Sequence, residues 1–351
     1  MEDLQQYQQA IKVSEAVREI LKTNEVYLVG GSVRDIFTGS KIKDFDYCTP
    51  LDPDEIERLV KEAGRKAYTV GKKFGTIGFK VPIEEIIDKG DVQPNEWTTQ
   101  DYSRQTFIYV EVTTYRTEQY TSGNRKPEVV FIKELDKDLS RRDFTINAMV
   151  LKEDGQTYDP FGGRLDILAK QIKTVGLPKD RIQEDPLRML RAARFASQLG
   201  FKVDPNMIGK MRQLGHSITT VSKERWVAEL DKLLMGKEPM KGIDVLMDSE
   251  LMKYVLPEVY ITLLDTNVYR GVSEAFKANP EMDLDSRWNV LLYFIGHPYT
   301  KKEKKNGDVS FPNSDIVRQE LCKGIALRLK FSNIRTRELE NGTVVFNTIA
   351  L

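Results

Sequence analysis

Apolar residues recur at helical spacing through YQQAIKVSEAVREIL, which predicts a helix over residues 1–23. A compact apolar run from Val26 to Val29 follows and stops at Gly30-Gly31, the pattern of a short strand meeting a tight turn. Ser32 is placed to cap a helix starting at Val33, and Gly39 to close it. DPDEIERLVKEAG reads as another amphipathic helix, while GTIGFKV and FIYVEVTTYR have strand character, the latter rich in β-branched and aromatic residues. Between those strands, the polar and acidic stretch 84–104 reads as an inserted loop. From about residue 180 the pattern changes. RIQEDPLRMLRAARFASQLG, ERWVAELDKLL and IVRQELCKGIALRLKF read as helices, and strand patterns nearly vanish until GTVVFNTIAL. The expected architecture is α+β, with a mixed head over 1–150 followed by helical segments over 151–235 and 236–351.

A chain of 351 residues has room for two or more domains, each with its own core. Lysine plus arginine equals aspartate plus glutamate at 53 each, so any phosphate-binding surface must arise from local clustering rather than bulk charge. Cys48 and Cys322 are too few for a disulfide framework and suit a reducing compartment. The acidic, amphipathic start lacks the pattern of a signal peptide, and no apolar run approaches the ~20 residues needed to span a bilayer. The expectation is a cytoplasmic protein with no membrane partner.

Candidate chemistry begins with KIKDFDYCT. On a strand, Asp44 and Asp46 would point to one face with their α-carbons roughly 7 Å apart. Two such carboxylates repel unless a cation lies between them, and hard oxygen ligands suit Mg²⁺. Glu111, in YVEVTTYR, is the candidate third ligand if its strand is a neighbour. A DxD taken alone is more often two acids facing solvent at a strand end. The glycine turn upstream in LVGGSVRD shifts that balance, because glycines admit a phosphate close to the backbone and the following helix offers free N–H groups. It is not a dinucleotide fingerprint, since the full glycine spacing is missing.

Taken together, LVGGSVRDIFTGSKIKDFDYCT resembles the signature of the tRNA nucleotidyltransferase and poly(A) polymerase family, in its bacterial and eukaryotic class. The likeness continues in order through FGTIGF at 74–79, EVTTYR, DLSRRDFTINAM at 138–149, YDPFGGRLDI, EDPLRMLRAARFASQLGF and ERWVAELDKLL. The resemblance implies a polymerase-β-like head with Asp44, Asp46 and Glu111 as catalytic metal ligands for two Mg²⁺ ions. It also implies a nucleotide site that draws on Gly30, Gly31, Arg34, Arg142, Asp143, Asp185, Arg188, Arg191 and Arg194. The activity implied is addition of C, C and A to the 3′ end of tRNA from CTP and ATP. Arg125, in EQYTSGNRKPEVVF, matches a basic residue of the family's flexible loop, although TSGN departs from the usual acidic-glycine pattern there.

The residues themselves fit such roles. Arg142 can hold phosphate or sugar oxygens, and the Asp143 carboxylate can accept a hydrogen bond from a 2′-hydroxyl, against the plainer reading of a helix-start ion pair. Asp185 and Arg188, three apart, would share a helix face. A carboxylate only accepts and a guanidinium only donates. Cytosine and adenine both offer an amino donor beside a ring acceptor, whereas uracil and guanine offer the opposite, so the pair would admit C and A and leave U and G with unpaired groups. The plainer reading is an intrahelical ion pair. Asp35 is expected to support the turn locally.

In the helical half, SRWNVLLYFIGHPYTKKEKKNGDVSFPNSD resembles the region that is a His-Asp metal phosphohydrolase in some relatives. Here Tyr293-Phe294 and Asn313 stand at the ligand positions, and the expectation is no such activity. His216 and His297 are expected to be surface or core histidines. Lys301, Lys302, Lys304 and Lys305 form a basic run that reads as a solvated loop, with tRNA phosphate contact as the alternative. Rival functions are poly(A) polymerase, a CC-only or A-only enzyme, and, from another class, an inactive RNA-binding module. The last is expected to lose one of the three acids.

Overall fold

The computed structural model describes residues 2–86, 107–119 and 128–341. Arg125, GTVVFNTIAL and most of the expected 84–104 loop lie outside them. The chain forms two compact units, one of Met1–Ala169 with Lys173–Gly176, the other of Lys170–Ile172 with Leu177–Leu351.

The first unit begins with α1 (Glu2–Leu21), β1 (Tyr27–Val29), α2 (Gly31–Thr38), β2 (Phe45–Thr49), α3 (Pro53–Glu62), β3 (Thr76–Pro82) and β4 (Phe107–Thr114). It continues with a ribbon of β5 (Arg116–Gln119) and β6 (Glu128–Phe131), then α4 (Leu135–Ser140), β7 (Val150–Leu151), β8 (Thr157–Tyr158) and α5 (Gly163–Leu168). Six strands make one sheet in the order β3-β4-β2-β1-β7-β8, with β2 and β4 parallel and every other pair antiparallel. Because β7 and β8 join this sheet, the first unit extends past residue 150 to Ala169.

Strand alternation sets the two faces of the sheet. Tyr47, Phe79, Val110 and Val112 are fully or almost fully buried, and the Tyr47 hydroxyl meets Ser14 of α1 at 3.1 Å. Burial of each such side chain contributes roughly 1.5–3 kcal/mol. The alternate positions Asp46 and Glu111 are only partly buried or exposed, so the polar row lies on the other face.

The second unit holds β9 (Gln171–Ile172), α6 (Pro178–Glu184), α7 (Arg188–Leu199), β10 (Lys202–Val203), α8 (Pro205–Leu214), α9 (Lys223–Leu234) and α10 (Pro239–Asp248). Then follow α11 (Met252–Val255), α12 (Pro257–Leu263), α13 (Thr266–Ala278), α14 (Leu284–Leu292), α15 (His297–Thr300), β11 (Lys302–Glu303), β12 (Val309–Ser310), α16 (Ser314–Leu329) and α17 (Asn333–Asn341). Partly buried polar groups tie the helices together. The Trp288 indole donates to Asp231 at 2.7 Å, and Arg335 also reaches Asp231 at 3.0 Å. Arg328 grips Glu258 through two bonds of 2.7 Å.

One local expectation is corrected. RIQEDPLRMLRAARF is not one helix. Pro186 disfavours helical geometry at the preceding residue, and Asp185 takes φ −142° and ψ 101° between α6 and α7. The lysine run is solvent-exposed as expected, and it forms a hairpin turned by Asn306-Gly307 with Gly307 at φ 88°. His297 is half-buried, stacked on Phe311 at 4.0 Å between ring centroids, and burial lowers its pKa.

The start of α13 offers a plain stability test. The Asp265 side chain accepts the backbone N–H groups of Asn267 and Val268 at 2.9 and 3.4 Å. Asp265→Ala is expected to lower unfolding free energy by about 1 kcal/mol. A urea midpoint identical to wild type would show that the cap contributes nothing.

Candidate active site

Two strands and one glycine turn build the centre of the first unit. In the parallel pair, Asp46 of β2 lies opposite Glu111 of β4, and Glu111 lies opposite Gly78 of β3. The two acids are therefore side by side on one face. Asp44 does not share the strand with Asp46, since β2 begins at Phe45. It is exposed, yet its charge is felt at Asp46. Burial, then Glu111, then Asp44 push the Asp46 carboxyl up to about 6, and only Arg142 opposes them. Among the described residues, no three acidic, histidine or cysteine side chains form a ready-made cation cage.

Ser32 is not the predicted helix cap. α2 starts earlier, at Gly31, with Gly30 as N-cap at φ 73°, ψ −129°, a conformation suited to glycine. Ser32 Oγ instead donates to the Asp44 carbonyl at 2.8 Å and accepts the Asp46 N–H at 3.1 Å. It thereby pins both ends of the DFD segment to the first turn of α2. The helix ends at Gly39 as expected, with φ 64°. A Cβ at Gly30 would approach Arg142 Nη1 to 3.2 Å, so the turn lies directly against that guanidinium.

Arg142 is partly buried and bonds Asp138 at 3.0 Å, while Arg141 holds the other oxygen of Asp138 at 2.7 Å. Burial raises the Asp138 pKa, but the two arginines outweigh it and keep the carboxyl below its ordinary value. Asp143 is also buried, and its Oδ1 accepts the Phe144 N–H at 2.8 Å and the Asn147 amide at 3.1 Å. Arg34 binds Asp35 Oδ1 at 2.7 Å and Asn147 Oδ1 at 2.8 Å, which gives Asp35 the local role expected of it. Tyr109 escaped the sequence reading. Two residues before Glu111 on β4, its hydroxyl hydrogen-bonds the Glu111 carboxylate, and burial followed by that negative charge raises the phenol pKa. Its ring lies over Gly78, where an added Cβ would come within 2.6 Å of Tyr109 Cζ. The available signal was the i, i+2 alternation of a strand.

The base-reading candidates belong to the second unit. Asp185 and Arg188 do not share a helix face as expected. Asp185 ends α6 and bonds Arg225 at 2.8 Å, whereas Arg188 opens α7 and bonds Glu184 at 2.7 Å. Farther along α7, Arg194 approaches the buried Glu229 to 3.0 Å and Arg191 approaches it to 3.9 Å. Arg225 and Glu229 were not singled out in sequence, although their i, i+4 spacing puts both on one face of α9.

Neighbouring carboxylates on a parallel strand pair, a glycine turn opening a helix, and an Arg-Arg-Asp segment whose aspartate is buried are the features expected of a nucleotidyltransferase head. Residues 26–173 match the family described as the poly A polymerase head domain, and residues 200–261 match a probable RNA and SrmB binding site of polymerase A. The chain is 39% identical over 294 residues to a CCA-adding enzyme of Bacillus subtilis, covering 82% of this chain and 64% of that one. It is 36% identical over 300 residues to the CCA-adding enzyme of Lactococcus lactis subsp. cremoris, covering 84% and 67%. A crystal structure of the Bacillus stearothermophilus CCA-adding enzyme in complex with CTP superposes with a TM-score of 0.59 at 25% identity, covering 97% of this chain and 79% of that one. The chain belongs to the tRNA nucleotidyltransferase and poly(A) polymerase family. It spans slightly under two thirds of the B. subtilis relative's length.

Proposed function

We propose that this protein adds C, C and A to the 3′ end of tRNA from CTP and ATP without a nucleic-acid template. The observation that carries the reading is the side-by-side placement of Asp46 and Glu111 next to the Gly30-Gly31 turn, in a chain similar in sequence to proteins named CCA-adding enzymes. Template independence is argued from the chemistry of Asp185 and Arg188, one able only to accept and the other only to donate, which would pair with a nucleobase edge on leaving Arg225 and Glu184. Arg191 and Arg194 support that helix through Glu229.

The donor set fits a divalent cation. Asp46, Glu111 and Asp44 supply hard oxygens, and the raised Asp46 pKa reflects burial first and then the negative charge of Glu111 and Asp44, which a cation would relieve. When bound there, two Mg²⁺ ions would activate the RNA 3′-hydroxyl and neutralise the departing pyrophosphate. The glycine turn and the first N–H groups of α2 offer a cradle for phosphate oxygens, with Arg34 and Arg142 adding positive charge. Asp143 offers its carboxylate to a ribose hydroxyl. Arg125 lies outside the described residues, and its role in passing from C to A addition rests on the family likeness alone. No helix among the described residues is long and apolar enough to cross a membrane, and a cytoplasmic setting suits these substrates.

The test is to incubate the protein and Mg²⁺ with tRNA lacking its terminal CCA, supplying each nucleoside triphosphate singly and then together. Ordered growth by C, C and A is the expected result. Long A tails on any RNA would favour a poly(A) polymerase, growth that stops after CC or needs CC already present would mark a partial enzyme, and no growth would favour an RNA-binding module.

A further inference from the structure

We infer that Asn147 is a positioning residue for sugar selection, an amide bridge that holds Asp143 in register with Arg34 so that the site favours ribonucleotides over deoxyribonucleotides. This rests on the nucleotide-transfer reading above. Arg34 Nη1 donates to Asn147 Oδ1 at 2.8 Å, and Asn147 Nδ2 donates to Asp143 Oδ1 at 3.1 Å. A guanidinium can only donate and a carboxylate can only accept, so the amide orientation is set by chemistry rather than by choice. Only a side-chain amide supplies an acceptor at one corner and a donor at the other on a short planar group.

The surroundings leave the bridge little freedom. Asn147 is 7% exposed, and so is Asp143. The Phe144 N–H occupies the same Asp143 oxygen at 2.8 Å, so Oδ1 is fixed by two donors and the plane of the carboxylate is set. The segment is itself anchored from behind, with Thr145 N–H to the Lys173 carbonyl at 2.9 Å, Val175 N–H to the Asp143 carbonyl at 3.2 Å, and Thr145 Oγ1 to Asp166 at 2.7 Å. At the other end, Arg34 is carried by α2, whose first turn also pins Asp44 and Asp46 through Ser32. The sugar-facing carboxylate is thus tied through one amide to the helix that orients the metal-facing carboxylates. A hydrogen bond to a 2′-hydroxyl discriminates only if the acceptor is held where that hydroxyl arrives.

The experiment compares CTP with dCTP as substrates for the first addition to tRNA lacking CCA, for wild type, Asn147→Ala and Asn147→Asp. The aspartate variant is nearly isosteric, so it keeps the buried volume and the acceptor for Arg34 while removing the donor to Asp143. Each variant is expected to lower the ratio of kcat/KM for CTP over dCTP by about tenfold, mainly through KM for CTP, with dCTP use unchanged within about twofold. A fall in both substrates at a constant ratio means that Asn147 only supports the fold, and overturns the inference while leaving nucleotide transfer intact. A wild-type protein that neither transfers nor binds CTP would overturn the underlying reading and the inference with it. If Asn147→Ala does not fold, the aspartate variant alone decides between these outcomes.

Discussion

Asp46→Asn is expected to reduce nucleotide transfer by at least about a thousandfold while leaving tRNA binding nearly unchanged. The substitution keeps shape and burial but removes the charge that would hold a divalent cation. The same variant should be the more stable protein at neutral pH when divalent ions are chelated. In the folded chain the Asp46 carboxyl is pushed up to about 6, against an ordinary value of 3.8. Between those values the folded state binds the proton and the unfolded state does not. The resulting stabilisation is complete below about pH 4 and is lost as pH rises through 6. At pH 7 the ionised carboxylate is therefore a liability of about 2–3 kcal/mol that asparagine lacks. Melting curves in chelator should show the variant's advantage growing from pH 4 to pH 6.5 and then levelling. Added Mg²⁺ should raise the wild-type Tm and leave the variant's in place. Retained turnover in Asp46→Asn would contradict the metal assignment.

Arg188→Ala is expected to loosen the choice of nucleotide more than it slows a matched addition. Discrimination of CTP over UTP should fall by about one to two orders of magnitude, the cost of no longer leaving mismatched polar groups unpaired. The structure adds a reason why the arginine can act as a fixed gauge. Glu184 holds Arg188 Nη1 at 2.7 Å, and the Arg181 carbonyl meets the same nitrogen at 3.2 Å. Single-turnover incorporation of each triphosphate would measure the effect, and unchanged selectivity would sink the templating idea.

What could be read from the sequence was whatever depends on local period and residue chemistry. The β-branched and aromatic content of FIYVEVTTYR placed Glu111 on a strand, and the apolar run before Gly30 placed the turn. The partnership of Glu111 with Asp46 was a conditional reading, because strand order is decided by distant pairing. Ser32 looked like a cap because serine before an apolar run usually is one. Its use as a clamp on the DFD segment depends on β2 passing beside α2. The break at Pro186 was legible from the restriction that proline places on its predecessor, yet the helical period on either side masked it. Arg225 went unnoticed because its partner Asp185 is forty residues earlier in the chain, a distance over which spacing carries no signal. Tyr109 resembled any aromatic strand residue until the glycine beneath it was seen.

The parallel pairing of β2 with β4 has a kinetic corollary. Parallel neighbours cannot be joined by a hairpin, so the chain must run out through α3 and β3 before β4 can dock beside β2. Asp46 and Glu111 become neighbours only after that long loop has closed, at an entropic cost that helices built from nearby residues never meet. On dilution from denaturant, far-ultraviolet helical signal should return before catalytic competence does, and the lag between them would time the closure of the β2–β4 seam.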